Sequence, residues 1–234
     1  MKKRKIMMSV LSAALVGVVA IGGTLAYMSD KSNQVTNTFN LGSGYVEEGD
    51  HIGLWLDEKD VANPGSRTEI GNEYKEMLPG SLVEKDPTFH LTTGSTDSYV
   101  FAQVTGVDAM IADGYYFTVA QPEKLTDPAE SAFSDKWEKV ADNGNDADAG
   151  FDGLYVYKTV VKGGELGQDG EVVTAADPME AMFNWVKLGS DLENEEFANV
   201  NPSSVDIRGV AIQSANLTRA EAQAEVADFF ATMP

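Results

Sequence analysis

Tyr99-Val100-Phe101-Ala102-Gln103-Val104 is apolar at every position but Gln103. A strand with one solvated face alternates apolar and polar residues, whereas one covered on both faces reads as a continuous apolar run. The stretch therefore predicts a central β-strand. Shorter runs surround it. Gly53-Leu54-Trp55-Leu56, Tyr115 to Val119 and Leu154 to Val161 each carry the β-branched and aromatic residues that strands favour. In the run from Val205 to Gln213, Val205 and Ile207 point one way, but after Gly209 the apolar positions move to Val210 and Ile212. One extra residue would restore the phase, which predicts a β-bulge at Gly209.

Helical signals are fewer. Asp177-Pro178-Met179-Glu180 offers an N-cap and a proline at the first helical position, predicting a helix that continues through Ala181 to Val186. Thr218-Arg219-Ala220-Glu221 fits a capping box, with Ala222, Val226, Phe229 and Phe230 as an apolar stripe behind it. Phe133 and Trp137, four apart, suggest a third helix over 128–137. Asn63-Pro64-Gly65, Pro79-Gly80, Gly163-Gly164 and Asp169-Gly170 mark turns, and 141–153 and 162–170 read as acidic, glycine-rich loops. Many short strands with few helices predict an all-β fold: a mainly antiparallel β-sandwich of jelly-roll type with a few peripheral short helices. It forms a single domain over 45–234.

The first residues read differently. Lys2, Lys3, Arg4 and Lys5 precede an apolar run from Ile6 to Ile21; Gly22-Gly23 then breaks it, and Thr24 and Ala26 place small residues three and one before a cleavage point. This is the layout of a secretory signal peptide over 1–26, with Tyr27 as the first mature residue. Residues 6–29 carry no charge and are also long enough to span a bilayer as an uncleaved anchor, but the glycine pair and the small residues favour cleavage.

The chain has 17 Lys and Arg against 37 Asp and Glu, a formal charge of −20. The signal segment holds four of the basic residues and no acidic one, so its removal leaves 13 against 37, or −24. Such a surface repels nucleic acid and anionic lipid and attracts cations. Cysteine is absent, so stability must come from the core, from ions or from neighbouring subunits. These features predict an exported, extracellular protein, and the missing cysteine fits a monoderm bacterium.

Residues 27–44 are polar with sparse hydrophobes; Val35, Phe39 and Leu41 sit at odd positions, with Asn37 between them, a β period with one apolar face. A strand at a free N-terminus is easily detached from its own sheet. Motifs for catalysis are missing: there is no cysteine, no Gly-x-Ser-x-Gly, no His-Glu-x-x-His and no phosphate loop. His51 and His90, the two histidines, read as strand or surface residues. The best ion candidate is the run from Asp142 to Gly153, where Asp142, Asn145, Asp146, Asp148 and Asp152 could offer oxygens to calcium. The strict loop pattern fails, with Gly144 third and Gly153 twelfth; a solvated loop is the plainer reading, and no other cofactor is indicated.

Two stretches resemble a known family. Gly23-Thr24-Leu25-Ala26-Tyr27-Met28-Ser29-Asp30-Lys31 followed by Asn37-Thr38-Phe39-Asn40-Leu41-Gly42, and then Leu78-Pro79-Gly80-Ser81-Leu82-Val83-Glu84-Lys85 with Thr92-Thr93-Gly94-Ser95-Thr96-Asp97-Ser98-Tyr99-Val100, are similar to the TasA/camelysin (CalY) family. The resemblance covers about 1–45 and 77–104; Ser81 stands where the family has an acidic residue and Thr93 where it often has Asn. It implies trimming by a SipW-type signal peptidase and assembly into homopolymeric biofilm-matrix fibres. There the mature N-terminal strand of one subunit, here 27–44, completes the sheet of the next, with possible minor matrix proteins as further partners. Two other readings stand beside it: a monomeric surface adhesin or minor fibre-associated protein, and a camelysin-type metalloendopeptidase, which the missing zinc motif argues against.

Overall fold

The computed structural model describes residues 29–31, 35–36, 53–74, 77–120, 130–140, 150–190, 192 and 204–232. Strand β7 (Ser98–Thr105) lies at the centre of the largest sheet, between β14 (Asp206–Gln213) and β10 (Gly153–Tyr157). Beyond β10 runs β9 (Trp137–Val140); beyond β14 lie two short strands, β1 (Ser29–Lys31) and β2 (Val35–Thr36). Every pairing is antiparallel. The central position expected for 99–104 is met.

The two-faced apolar pattern of β7 follows from what covers each face. On one side Val100, Ala102 and Val104, with Tyr155, Tyr157, Ile207 and Ala211, join a core shared with a second layer. That layer holds β3 (Leu54–Lys59) between β4 (Arg67–Thr68) and β6 (Thr88–Leu91), and β13 (Trp185–Leu188) between β5 (Leu82–Glu84) and β8 (Tyr115–Thr118). Leu54, Leu56, Phe89, Leu91, Phe117 and Val186 are its contribution to the core. On the other side Phe101, Leu154, Val156, Val210 and Ile212 pack under a C-terminal helix through Ala222, Val226 and Phe230. The fold is thus an all-β antiparallel sandwich carrying two helices among the described residues, α1 (Val107–Ala112) and α2 (Arg219–Thr232).

The capping box of α2 forms as expected: Thr218 N–H donates to Glu221 Oε2 at 2.8 Å and Glu221 N–H to Thr218 Oγ1 at 3.3 Å. Three local expectations are corrected. First, β14 pairs with β7 in unbroken register from Asp206 to Gln213, so Gly209 is no bulge. The apolar phase changes because both faces are buried: Ile207 and Ala211 face the sandwich core, Val210 and Ile212 face α2. Gly209 shares the sandwich side, where a Cβ would collide with the Phe89 ring. Second, 177–184 form no helix and Trp185–Leu188 is a strand. Met179, Met182 and Phe183 are all buried, while backbone groups bond to distant segments, as in Met182 N–H to Pro87 O and Asn184 N–H to Thr118 O. Third, Trp137 opens β9 instead of closing a helix; it packs on Phe89 and Tyr157, and Phe133 packs on Phe151, Tyr155 and Phe183. The loop read over 162–170 also begins a small hairpin, β11 (Glu165–Leu166) with β12 (Val172–Thr174).

Candidate assembly edge

β14 is the strand on which the leading segment lies. Val205, Ile207, Val210, Ala211 and Ile212 are at most 4% exposed, so β14 is buried on both faces although, among the described residues, one strip of chain separates it from the sheet edge. That strip is β1 and β2. Ser29, Asp30 and Lys31 stand opposite Ile212, Ala211 and Val210, and Val35 and Thr36 opposite Ile207 and Asp206. From Lys31 to Val35 is four steps, but from Val210 to Ile207 is three. The leading segment therefore counts one residue more than β14 between these pairs. Without this strip the backbone N–H and C=O groups along one edge of β14 would be unpaired, a ready template for another strand.

Of the expected donor residues, Val35 is on β2, while Phe39 and Leu41 lie outside the described residues, as do the cleavage residues Thr24, Ala26 and Tyr27 and the whole of 1–26. Of the calcium candidates, Asp142, Asn145, Asp146 and Asp148 also lie outside them, and so does His51. Asp152 is described and has another task. Its carboxylate accepts the N–H groups of Gly106, Val107 and Asp108 at 3.0, 2.8 and 3.3 Å, capping α1. Asp108 returns the contact, accepting from Phe151 and Asp152 N–H at 2.7 and 3.0 Å. Gly106 makes the turn into α1 with φ 89°, where a Cβ would strike the Ser204 carbonyl. Burial and the charges of Asp108 and Asp152 raise the Tyr155 phenol well above its usual range. Among the described residues no group of three or more His, Asp or Glu side chains is placed to hold a metal ion, and no helix is long and apolar enough to cross a membrane.

A polar cluster that the sequence did not reveal occupies the β3 end of the second layer. On one face of β3, Asp57 accepts from Arg67 Nε at 2.8 Å and meets His90 Nε2 at 3.0 Å. Arg67 Nη1 also donates to Asp86 at 2.7 Å, and His90 stacks on Trp55 with ring centroids 4.0 Å apart. Burial pushes the Asp57 carboxyl up, but the hydrogen bonds from His90 and Arg67 outweigh it and hold the group below the usual carboxylate range. On the opposite face, in line with Leu54 and Leu56, Glu58 pairs with Lys85, and Asn72 Nδ2 donates to Glu58 Oε1 at 2.7 Å. The apolar run read from the sequence ends at Leu56, and only the fold shows that Glu58 stays inside.

No model of a known family, no curated protein and no solved structure matches the chain.

Proposed function

We propose that the chain is an exported structural subunit of extracellular biofilm-matrix fibres, and that its leading segment is a strand exchanged between subunits after signal-peptide cleavage. The observation that carries this is the antiparallel placement of 29–31 and 35–36 along β14, a strand otherwise buried on both faces. A segment joined to the body only through its own C-terminal end serves the same groove equally in cis or in trans, since the backbone partners are identical. In trans the donor and the acceptor are different patches of the molecule, so each subunit that gives a strand keeps an acceptor open for the next, and the chain of contacts need not close. Tethering of the strand by the uncleaved signal segment holds assembly off until export. The resemblance of residues 23–42 and 78–100 to the TasA/camelysin family supports the same reading.

The absence of cysteine from the chain allows a direct test. Asp30 stands opposite Ala211, so a D30C/A211C variant of the processed protein places one thiol on the donor and one on the acceptor. After assembly and oxidation, exchange in trans gives a ladder of disulfide-linked multimers on a non-reducing gel. A single monomer band from assembled fibres would reject strand exchange. In parallel, deletion of 27–40 from the processed form abolishes fibres in electron micrographs; unchanged fibres would reject the mechanism equally.

A further inference from the structure

Glu58, Lys85 and Asn72 are 0%, 3% and 7% exposed, and Glu58 projects from the same face of β3 as Leu54 and Leu56. An ammonium and a carboxylate withdrawn from water lose most of their hydration, and their mutual attraction seldom recovers more than that loss. The third member is unusual for a plain ion pair. One oxygen of Glu58 holds Lys85 Nζ and the other holds the side-chain nitrogen of Asn72, so an amine and a carboxamide sit side by side on one carboxylate. The Asn72 carbonyl oxygen, for its part, accepts the Val61 backbone N–H at 2.9 Å, and Nδ2 makes a second bond to Lys59 O at 2.7 Å.

We propose that Lys85 and Asn72 condense in the folded chain to form an intramolecular isopeptide bond, with Glu58 as the proton carrier. Lys85 Nζ gives a proton to Glu58 Oε2, and its freed lone pair attacks Asn72 Cγ. The carbonyl pair moves onto Oδ1, where the Val61 N–H stabilises the oxyanion. Collapse of this intermediate breaks the Cγ–Nδ2 bond. Glu58 hands one proton to the departing nitrogen and takes one from the attacking nitrogen. The products are a secondary amide, one neutral ammonia and a protonated Glu58; no oxidant, metal or cofactor enters. Both buried charges are gone at the end, which supplies a driving force that the ion pair alone lacks. Holding amine, carboxamide and proton carrier in one dry pocket converts a very slow bimolecular condensation into a unimolecular one. The bond would tie the segment after β4 to the end of β5, giving a cysteine-free exported chain the covalent staple that others obtain from disulfides. It stands independently of the fibre reading.

The test is mass spectrometry of the purified, folded protein. A proteolytic map is expected to contain one branched peptide joining the segment that carries Asn72 to the segment that carries Lys85, one ammonia lighter than the two parts together, in essentially every chain. E58Q keeps both reacting groups but removes the proton carrier, and K85R keeps the positive charge but removes the amine. Each is expected to give only the two separate linear peptides. Unbranched peptides for both segments in the folded wild-type protein would overturn the proposal, and so would a loss of ammonia that persists in K85R. The wild-type result alone decides the matter if either variant fails to fold.

Discussion

At the scale of single residues, the two faces of β3 divide the work of its charged end. The outer face is a pH-sensitive brace. Because the Asp57 carboxyl titrates below the ordinary range in the folded chain, the ionised form binds its partners more tightly than the protonated form does. Its contribution to stability is fully present above the unfolded carboxylate value, about 4, and is lost as pH falls through the lower folded value. Unfolding curves are therefore expected to be flat on this account above about pH 5 and to move to lower denaturant as pH falls below 4. R67M removes the guanidinium from both Asp57 and Asp86; it should cost about 2 kcal/mol at neutral pH, the scale of hydrogen bonds to a charged group, and flatten the acid limb. An acid limb as steep as in wild type would show that Arg67 does not hold Asp57 down. Asp152 is the second residue with a measurable role. D152A leaves three N–H groups at the start of α1 without their acceptor and should lower stability by about 1–2 kcal/mol in denaturant unfolding. If the loss instead appears solely when calcium is present, Asp152 is a ligand before it is a cap.

At the scale of elements, α2 shows what local patterning can specify. Its capping box and the Ala222, Val226, Phe230 stripe stand in the sequence at helical spacing, and the structure uses them so: the buried stripe covers the outer face of β7, β10 and β14. F230A removes a ring that is 5% exposed and should cost about 3 kcal/mol, the low end for such a cavity, read as a shift in the unfolding midpoint. The variant should also bind a hydrophobic dye more strongly, because Phe101, Val156 and Ile212 lie beneath this helix. A midpoint within experimental error of wild type would mean that α2 does not hold that face. The central strand and the general β character were legible for the same reason: period and apolar content are local. The segments 128–137 and 177–186 were misread because their helical signals are also local, while the decisive interactions are not. Trp137 Nε1 donates to Glu180 O at 3.0 Å, and Ser134 N–H to Met182 O at 2.7 Å. The described parts of these two segments bond to each other outside any helix, and nothing within either one announces its partner. The change of phase at Gly209 was legible, but its cause was not, because a helix folding over the sheet from the C-terminal end looks in sequence like a slip of register. The buried Glu58 and its partners were hidden in the same way, since Asn72 and Lys85 are fourteen and twenty-seven residues away along the chain.

At the scale of the whole molecule, charge opposes the assembly proposed above. The chain carries a formal charge of −20, and loss of the four basic residues in 1–26 takes the processed form to −24. Two such bodies repel before any strand can dock. The contact itself is backbone pairing along β14, with 29–31 and 35–36 of the donor in antiparallel register, and backbone pairing does not cancel a long-range repulsion. Screening therefore controls the encounter, while the docked state depends on salt only weakly. Raising ionic strength from about 0.01 M to about 0.15 M shortens the screening length from roughly 30 Å to 8 Å. It should speed fibre growth from the processed protein roughly tenfold, followed by light scattering, while leaving the stability of finished fibres nearly unchanged. Sodium and magnesium salts at matched ionic strength should act alike if general screening is the cause. Growth that slows with added salt would mean that attraction between charged patches drives the encounter, and the backbone edge of β14 could no longer be its principal determinant.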